Sequence, residues 1–133
     1  MPNQTSRQNA YWTATLTQID NIPDDKLSEF LNRYEKYAYV KEFGKEGTNP
    51  HYHFIIKANY SRGDALTRII KEKLYSGHPN KKSKNLVVTE KAFTSPYTYM
   101  RNYFFKETHN DPDAVTQKGF TDASIKKAHD DYN

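Results

Sequence analysis

Residues 11–17 read Tyr-Trp-Thr-Ala-Thr-Leu-Thr, and that alternation commits the chain to a sheet. Trp12, Ala14 and Leu16 fall on one side of an extended backbone, while Tyr11, Thr13, Thr15 and Thr17 fall on the other. A period of two with β-branched residues is the mark of a half-buried strand. Further strand candidates lie at 37–42, at 51–58 (HYHFIIKA) and at 85–90. Helical spacing separates them. Leu27, Phe30, Leu31 and Tyr34 make one apolar stripe in a helix predicted over Pro23 to Tyr37, with Asp24 and Asp25 favouring the dipole of its first turn. Leu66, Ile69, Ile70 and Leu74 make another over Gly63 to Leu74. Ser95 followed by Pro96 stands in cap and first-position order, predicting a third helix to about Glu107. Thr121 to His129 reads as a short fourth. The expected fold class is α+β: a central antiparallel sheet of about five strands with flanking helices. Residues 1–9 read as a loose tail, 10–110 as the domain and 111–133 as a C-terminal extension.

What such a sheet can bury is limited by composition. Only 35% of the 133 residues are hydrophobic and 11 are tyrosine, so the core must lean on rings whose tips stay polar. The absence of cysteine excludes disulfides, thiolate zinc sites and a cysteine nucleophile. Apolar runs such as Phe54-Ile55-Ile56 and Leu86-Val87-Val88 are too short to span a membrane. Met1 to Gln8 lacks the apolar stretch of a secretory leader.

The net charge of +4 is unevenly spread. Residues 57–106 carry 11 Lys/Arg against 3 Asp/Glu, whereas 1–56 carry 6 against 7 and 107–133 carry 3 against 6. A basic middle rich in aromatic rings is the footprint of a nucleic-acid surface, although charge alone also fits a solvated face. The candidate contacts are Lys57, Arg62, Lys81, Lys82, Lys84 and Arg101, with Tyr11, Thr13, Thr15 and Tyr99.

Chemistry concentrates in three places. His51 and His53 are two apart, so a strand puts both imidazoles on one face and Tyr52 and Phe54 on the other. Such pairs are frequent by chance. Glu42 closes the preceding strand nine residues earlier, with Gly44 and Gly47 between to permit a reversal. If the two strands pair, two imidazoles and one carboxylate converge as a three-ligand site with positions left open. Glu46, in the turn, competes for the carboxylate role. The third place is the run YTYMRNYFFKE after Pro96, in which Tyr103 and Lys106 are three apart and Tyr99 is one turn before Tyr103. A phenol of pKa about 10 is a poor nucleophile at neutral pH, and a nearby ammonium favours the phenolate. Core-facing rings beside a solvated lysine would read the same way.

Taken in order, these segments resemble the HUH endonuclease domain of replication initiator (Rep) proteins from circular single-stranded DNA viruses such as circoviruses and geminiviruses. The family's first motif is matched loosely by Tyr11 to Gln18, its Pro-His-hydrophobic-His strand closely by Glu42 to His53, and its Tyr-x-x-Lys helix by Tyr103-Phe104-Phe105-Lys106. Where the family's first motif ends in asparagines this chain has Thr17-Gln18. The resemblance implies an RRM-like sheet, Mg2+ or Mn2+ held by Glu42, His51 and His53, Tyr103 as nucleophile and Lys106 as its aid. It further implies a single-stranded origin stem-loop as substrate, rolling-circle replication through a 5′-phosphotyrosine, and a nuclear location if the host is a eukaryote. No Gly-x-x-x-x-Gly-Lys-Ser/Thr loop is present, so the helicase that usually follows is expected outside this chain. Oligomerisation is expected through regions absent here. A single-tyrosine transposase or relaxase shares the histidine pair, but relaxases usually carry a third histidine that this chain does not supply at strand spacing. A non-catalytic single-strand binding module is the alternative from another class.

Overall fold

A computed structural model describes residues 10–43, 49–92, 95–105 and 111–132, and over these the chain is α+β. Strands β1 (Tyr11–Leu16), β2 (Tyr37–Glu42), β3 (His51–Lys57), β4 (Val87–Lys91) and β5 (Thr116–Lys118) form one antiparallel sheet in the order β4-β1-β3-β2-β5. Four α-helices flank it: α1 (Asp24–Leu31), α2 (Gly63–Leu74), α3 (Pro96–Tyr99) and α4 (Asp122–Tyr132). The predicted tail, the turn residues Gly44, Glu46 and Gly47, and Lys106 lie outside the described residues.

The alternation read in β1 sorts the sheet into two faces. Trp12, Ala14 and Leu16 lie opposite Ile56, Phe54 and Tyr52 of β3, and this face packs under Leu27, Phe30 and Leu31 of α1 and Leu66, Ile70 and Leu74 of α2. The other face carries Thr13 and Thr15 opposite Ile55 and His53. Ala38, Val40 and Ile55 on that face pack against Tyr99, Met100, Phe104, Phe105, Ile125 and Ala128. Central strand β3 therefore has apolar partners above and below, which is why Phe54, Ile55 and Ile56 are all fully buried.

Tyrosine fills the first core by keeping its tip bonded. The Tyr52 hydroxyl donates to the Ile22 carbonyl at 2.7 Å, and that of Tyr75 to the Thr17 carbonyl at 2.6 Å. Tyr34 and Tyr60 share a hydroxyl–hydroxyl bond of 2.7 Å, and Tyr39 bonds Ser28 at 2.9 Å. Burying rings in this way keeps large area from water without orphaning a donor.

Three segments depart from the sequence expectation. Helix α1 stops at Leu31 and not near Tyr37. The amides of Arg33 and Tyr34 bond three residues back, to Phe30 and Leu31, which tightens and ends the last turn before the chain enters β2. Tyr34 stays buried all the same, so the apolar stripe outlasts the helix. The aromatic run after Ser95 is α-helical only to Tyr99 and then widens into a π-helix over Met100–Phe104. Its start is as expected, with the Ser95 hydroxyl accepting from the Thr98 amide at 3.1 Å. Finally, the segment set apart as an extension contributes β5, paired with β2, and α4, whose Ile125 and Ala128 are buried against the sheet.

That last packing is testable. Ile125→Ala should lower the unfolding free energy by about 2–5 kcal/mol in urea denaturation, because it opens a cavity in the second core. Unchanged stability would show that α4 does not dock.

Candidate functional site

Pairing of β2 with β3 places Glu42 directly opposite His51, and Val40 opposite His53. Period two then puts both imidazoles and the carboxylate on one face at one end of the sheet. The Nε2 atoms of His51 and His53 lie 3.2 and 3.1 Å from the same oxygen of Glu42, Oε1. One ligand atom from each of the three residues can be chosen so that all lie within 4.8 Å of one another.

The far side of each ring is held. His51 Nδ1 donates to the Asn49 carbonyl at 3.1 Å, and His53 Nδ1 meets the Thr15 hydroxyl at 3.1 Å. A carbonyl only accepts, so a neutral His51 carries its proton on Nδ1 and aims the Nε2 lone pair at Glu42. Two electron-rich atoms then face each other at 3.2 Å. A cation between them, proton or metal, resolves that. Outer bonds from ring N–H to backbone or side-chain oxygen are the usual means of orienting ligating histidines.

Glu42 is fully buried, and its second oxygen, Oε2, has no hydrogen-bond partner among the described residues. Burial pushes its carboxyl upward, but where the Nε2 atoms of His51 and His53 carry protons, the bonds they donate and their charge outweigh that and hold it at about 2. It is ionised throughout the neutral range, with one oxygen unused. An ionised buried carboxylate with an orphaned oxygen and two oriented imidazoles is a donor set that can hold a metal ion.

Tyr103 emerges from the π-helix onto this same face. Its ring centroid is 6.0 Å from that of His53, and the residue is 40% exposed. Beneath it, Tyr99 stacks at 4.8 Å with 24° between the planes. The two tyrosines differ sharply in what they can do. Tyr99 is buried, its hydroxyl is shut off from solvent, and desolvation followed by the charges of its neighbours pushes its pKa well above the ordinary 10. It is barred from attacking a substrate. Tyr97 points its hydroxyl at Asp131 of α4 and serves the helix packing there. The Tyr103–Lys106 relation rests on α-helical spacing, but the turn before Lys106 is wound as a π-helix and Lys106 itself lies outside the described residues.

The expected contact residues are scattered. Thr15 belongs to the site, as the partner of His53. Thr13 is buried and its hydroxyl donates to the Glu90 carbonyl at 2.8 Å, so it offers nothing to a strand of DNA. Tyr99 is likewise interior, and Tyr11 is half-buried with its ring 6.3 Å from that of Phe120. Lys57 ends β3 away from the histidines and pairs with Glu35 at 3.4 Å, while Arg62 pairs with Asp64 at 3.2 Å where α2 begins. Arg101 is half-buried, its Nε 3.2 Å from Asn102 Oδ1. Lys81, Lys82 and Lys84 lie in the loop between α2 and β4, which closes on Thr17 through a 3.0 Å bond to the Leu86 carbonyl. Leu16 pairs with Tyr52, so this loop stands at the His51 end of the sheet. Sequence reasoning misses Asn49, which carries no signal before the register is known; it places Tyr99 one turn before Tyr103 but offers it as a DNA contact and not as a buried ring under the other.

No protein-family model and no curated protein matches the chain. Among the described residues, no helix is long and apolar enough to cross a membrane.

The donor set makes its own prediction. In isothermal titration with Mn2+, the wild-type protein should show one site that His51→Ala, His53→Ala or Glu42→Gln each abolishes. Affinity should fall as the pH is lowered, because protons compete with the metal for the ligating atoms. Undiminished binding in all three variants would remove the assignment.

Proposed function

We propose that this domain is a metal-dependent endonuclease and strand-joining enzyme for single-stranded DNA, with Tyr103 as nucleophile. The observation that carries it is the placement of one exposed tyrosine beside a buried carboxylate and two half-buried imidazoles on an otherwise well-packed sheet. A hard divalent cation such as Mg2+ or Mn2+, held by Glu42, His51 and His53, supplies Lewis-acid polarisation of a phosphate oxygen when bound.

The chain's own groups do the rest. The Tyr103 oxygen attacks phosphorus in line, its proton leaves to solvent, the bond from phosphorus to the 3′ oxygen breaks, and that oxygen takes up a proton from solvent. The products are a free 3′-hydroxyl and a 5′-phosphotyrosine. The new ester keeps the energy of the old one, so a returning 3′-hydroxyl displaces Tyr103 and rejoins a strand without ATP. Glu42, deep beneath the face, fixes the two histidines from below. The resemblance to viral initiators assigns Lys106 to steadying charge on the phenolate or phosphate. Lys81, Lys82 and Lys84, at the same end of the sheet, suit the phosphates of the bound strand.

Incubation with Mn2+ and single-stranded stem-loop oligonucleotides of randomised loop sequence should give an SDS-resistant covalent band. Tyr103→Phe removes one oxygen and keeps the ring. It should bind DNA normally and form no adduct, while Tyr97→Phe remains active and EDTA abolishes the band. Mass spectrometry should place the nucleotide on Tyr103; an adduct on Tyr97 would reassign the nucleophile. Absence of any adduct, with binding intact, would favour a binding module.

The loop makes a separate prediction. Neutralising Lys81, Lys82 and Lys84 together should weaken single-strand binding and flatten its salt dependence, by about 0.7 counterions for each phosphate that the loop no longer neutralises. An unchanged slope would mark the loop as merely solvated.

A further inference from the structure

A nucleophile that is 40% exposed has rotamers to lose, and in-line attack demands that its oxygen be held at a near-attack position. Something must hold the Tyr103 ring. Tyr99 is built for that. It lies parallel under Tyr103 at 4.8 Å and meets Phe104 edge-on at 5.7 Å and 75°. It belongs to the core cluster that includes Ile55, two residues along β3 from His53 on the same face.

Its hydroxyl sharpens the argument. Tyr34, Tyr39, Tyr52 and Tyr75 each hydrogen-bond through theirs, but the Tyr99 hydroxyl is buried with no partner among the described residues. With no bond to make, what Tyr99 contributes is its ring.

We propose that Tyr99 is a positioning residue, an aromatic platform that ties the Tyr103 ring to strand β3 and so to the histidines. This rests on the nickase reading of Tyr103. Ile55 and Tyr99 belong to one buried cluster and Tyr99 stacks under Tyr103, while His53 leaves the strand of Ile55 two residues away. The metal ligands and the nucleophile thus share one rigid origin, and an offset stack of this kind orients a ring without blocking its outward tip.

The test reads ring order and turnover separately. In protein carrying 13C-labelled tyrosine, the Tyr103 ring signals are assigned by their disappearance in Tyr103→Phe. They should be shifted upfield by the Tyr99 ring current relative to those of N-acetyltyrosine amide in the same buffer. The shift should persist in Tyr99→Phe and vanish in Tyr99→Met, which refills the space with a flexible apolar chain. Nicking should follow: Tyr99→Phe within about twofold of wild type, and Tyr99→Met slowed in kcat by about tenfold or more, with KM for the oligonucleotide unchanged.

An unshifted Tyr103 ring in the wild-type protein would overturn the platform, whether or not Tyr99→Met folds. So would a Tyr99→Met enzyme that nicks at the wild-type rate. If the shift is present and lost as expected but no wild-type adduct forms with any oligonucleotide, the platform stands and the nickase reading fails.

Discussion

The antiparallel pairing of β2 with β3 is the interaction on which the site depends, because it alone brings Glu42 opposite His51. A slip of one residue between these strands would send Glu42 to the opposite face from the two imidazoles and break up the set. That error is blocked by burial on both sides. Ile55 must meet Ala38, Met100 and Phe104, while Phe54 and Ile56 must meet the helices across the sheet. The polar centre is therefore registered by apolar side chains that touch no substrate, and its precision is inherited from packing.

The strands and the face-sharing of the two histidines are legible in the sequence because period two is a strong local signal. Glu42 is legible as the residue that closes the strand before the turn of Gly44 and Gly47, and pairing places it opposite His51. What escapes the sequence is where winding or tertiary contact decides. The close of α1 follows from the amides of Arg33 and Tyr34 turning three residues back, which no spacing of Leu and Phe foretells. Strand β5 is only Thr116–Lys118, too short for any period, and exists because β2 offers it an edge. Met100–Phe104 has an ordinary helical composition but a π winding. Thr13 reads as a surface threonine by alternation, yet its face is covered by residues from much later in the chain.

The two imidazoles also show how a small wet domain can hold a charge below its surface. Among the described residues, Glu42 pairs with no lysine or arginine; its compensation comes from rings whose far sides are fixed by Asn49 and Thr15. Each layer is ordinary, a carbonyl, a hydroxyl, an imidazole. Together they make a buried anion that stays ionised while one oxygen remains unused.

The sheet order has a consequence for how the molecule behaves in company. Its most apolar strand, β3, sits at the centre, and the margins are β4 and β5. β5 is three residues long, and β4 shows exposed Glu90 and Lys91 to the outside. Short or charged margins make poor templates for the strand of another molecule. The chain can therefore keep Phe-Ile-Ile at its heart without inviting fibrous growth. Copies crowded side by side meet at borders that refuse to grow.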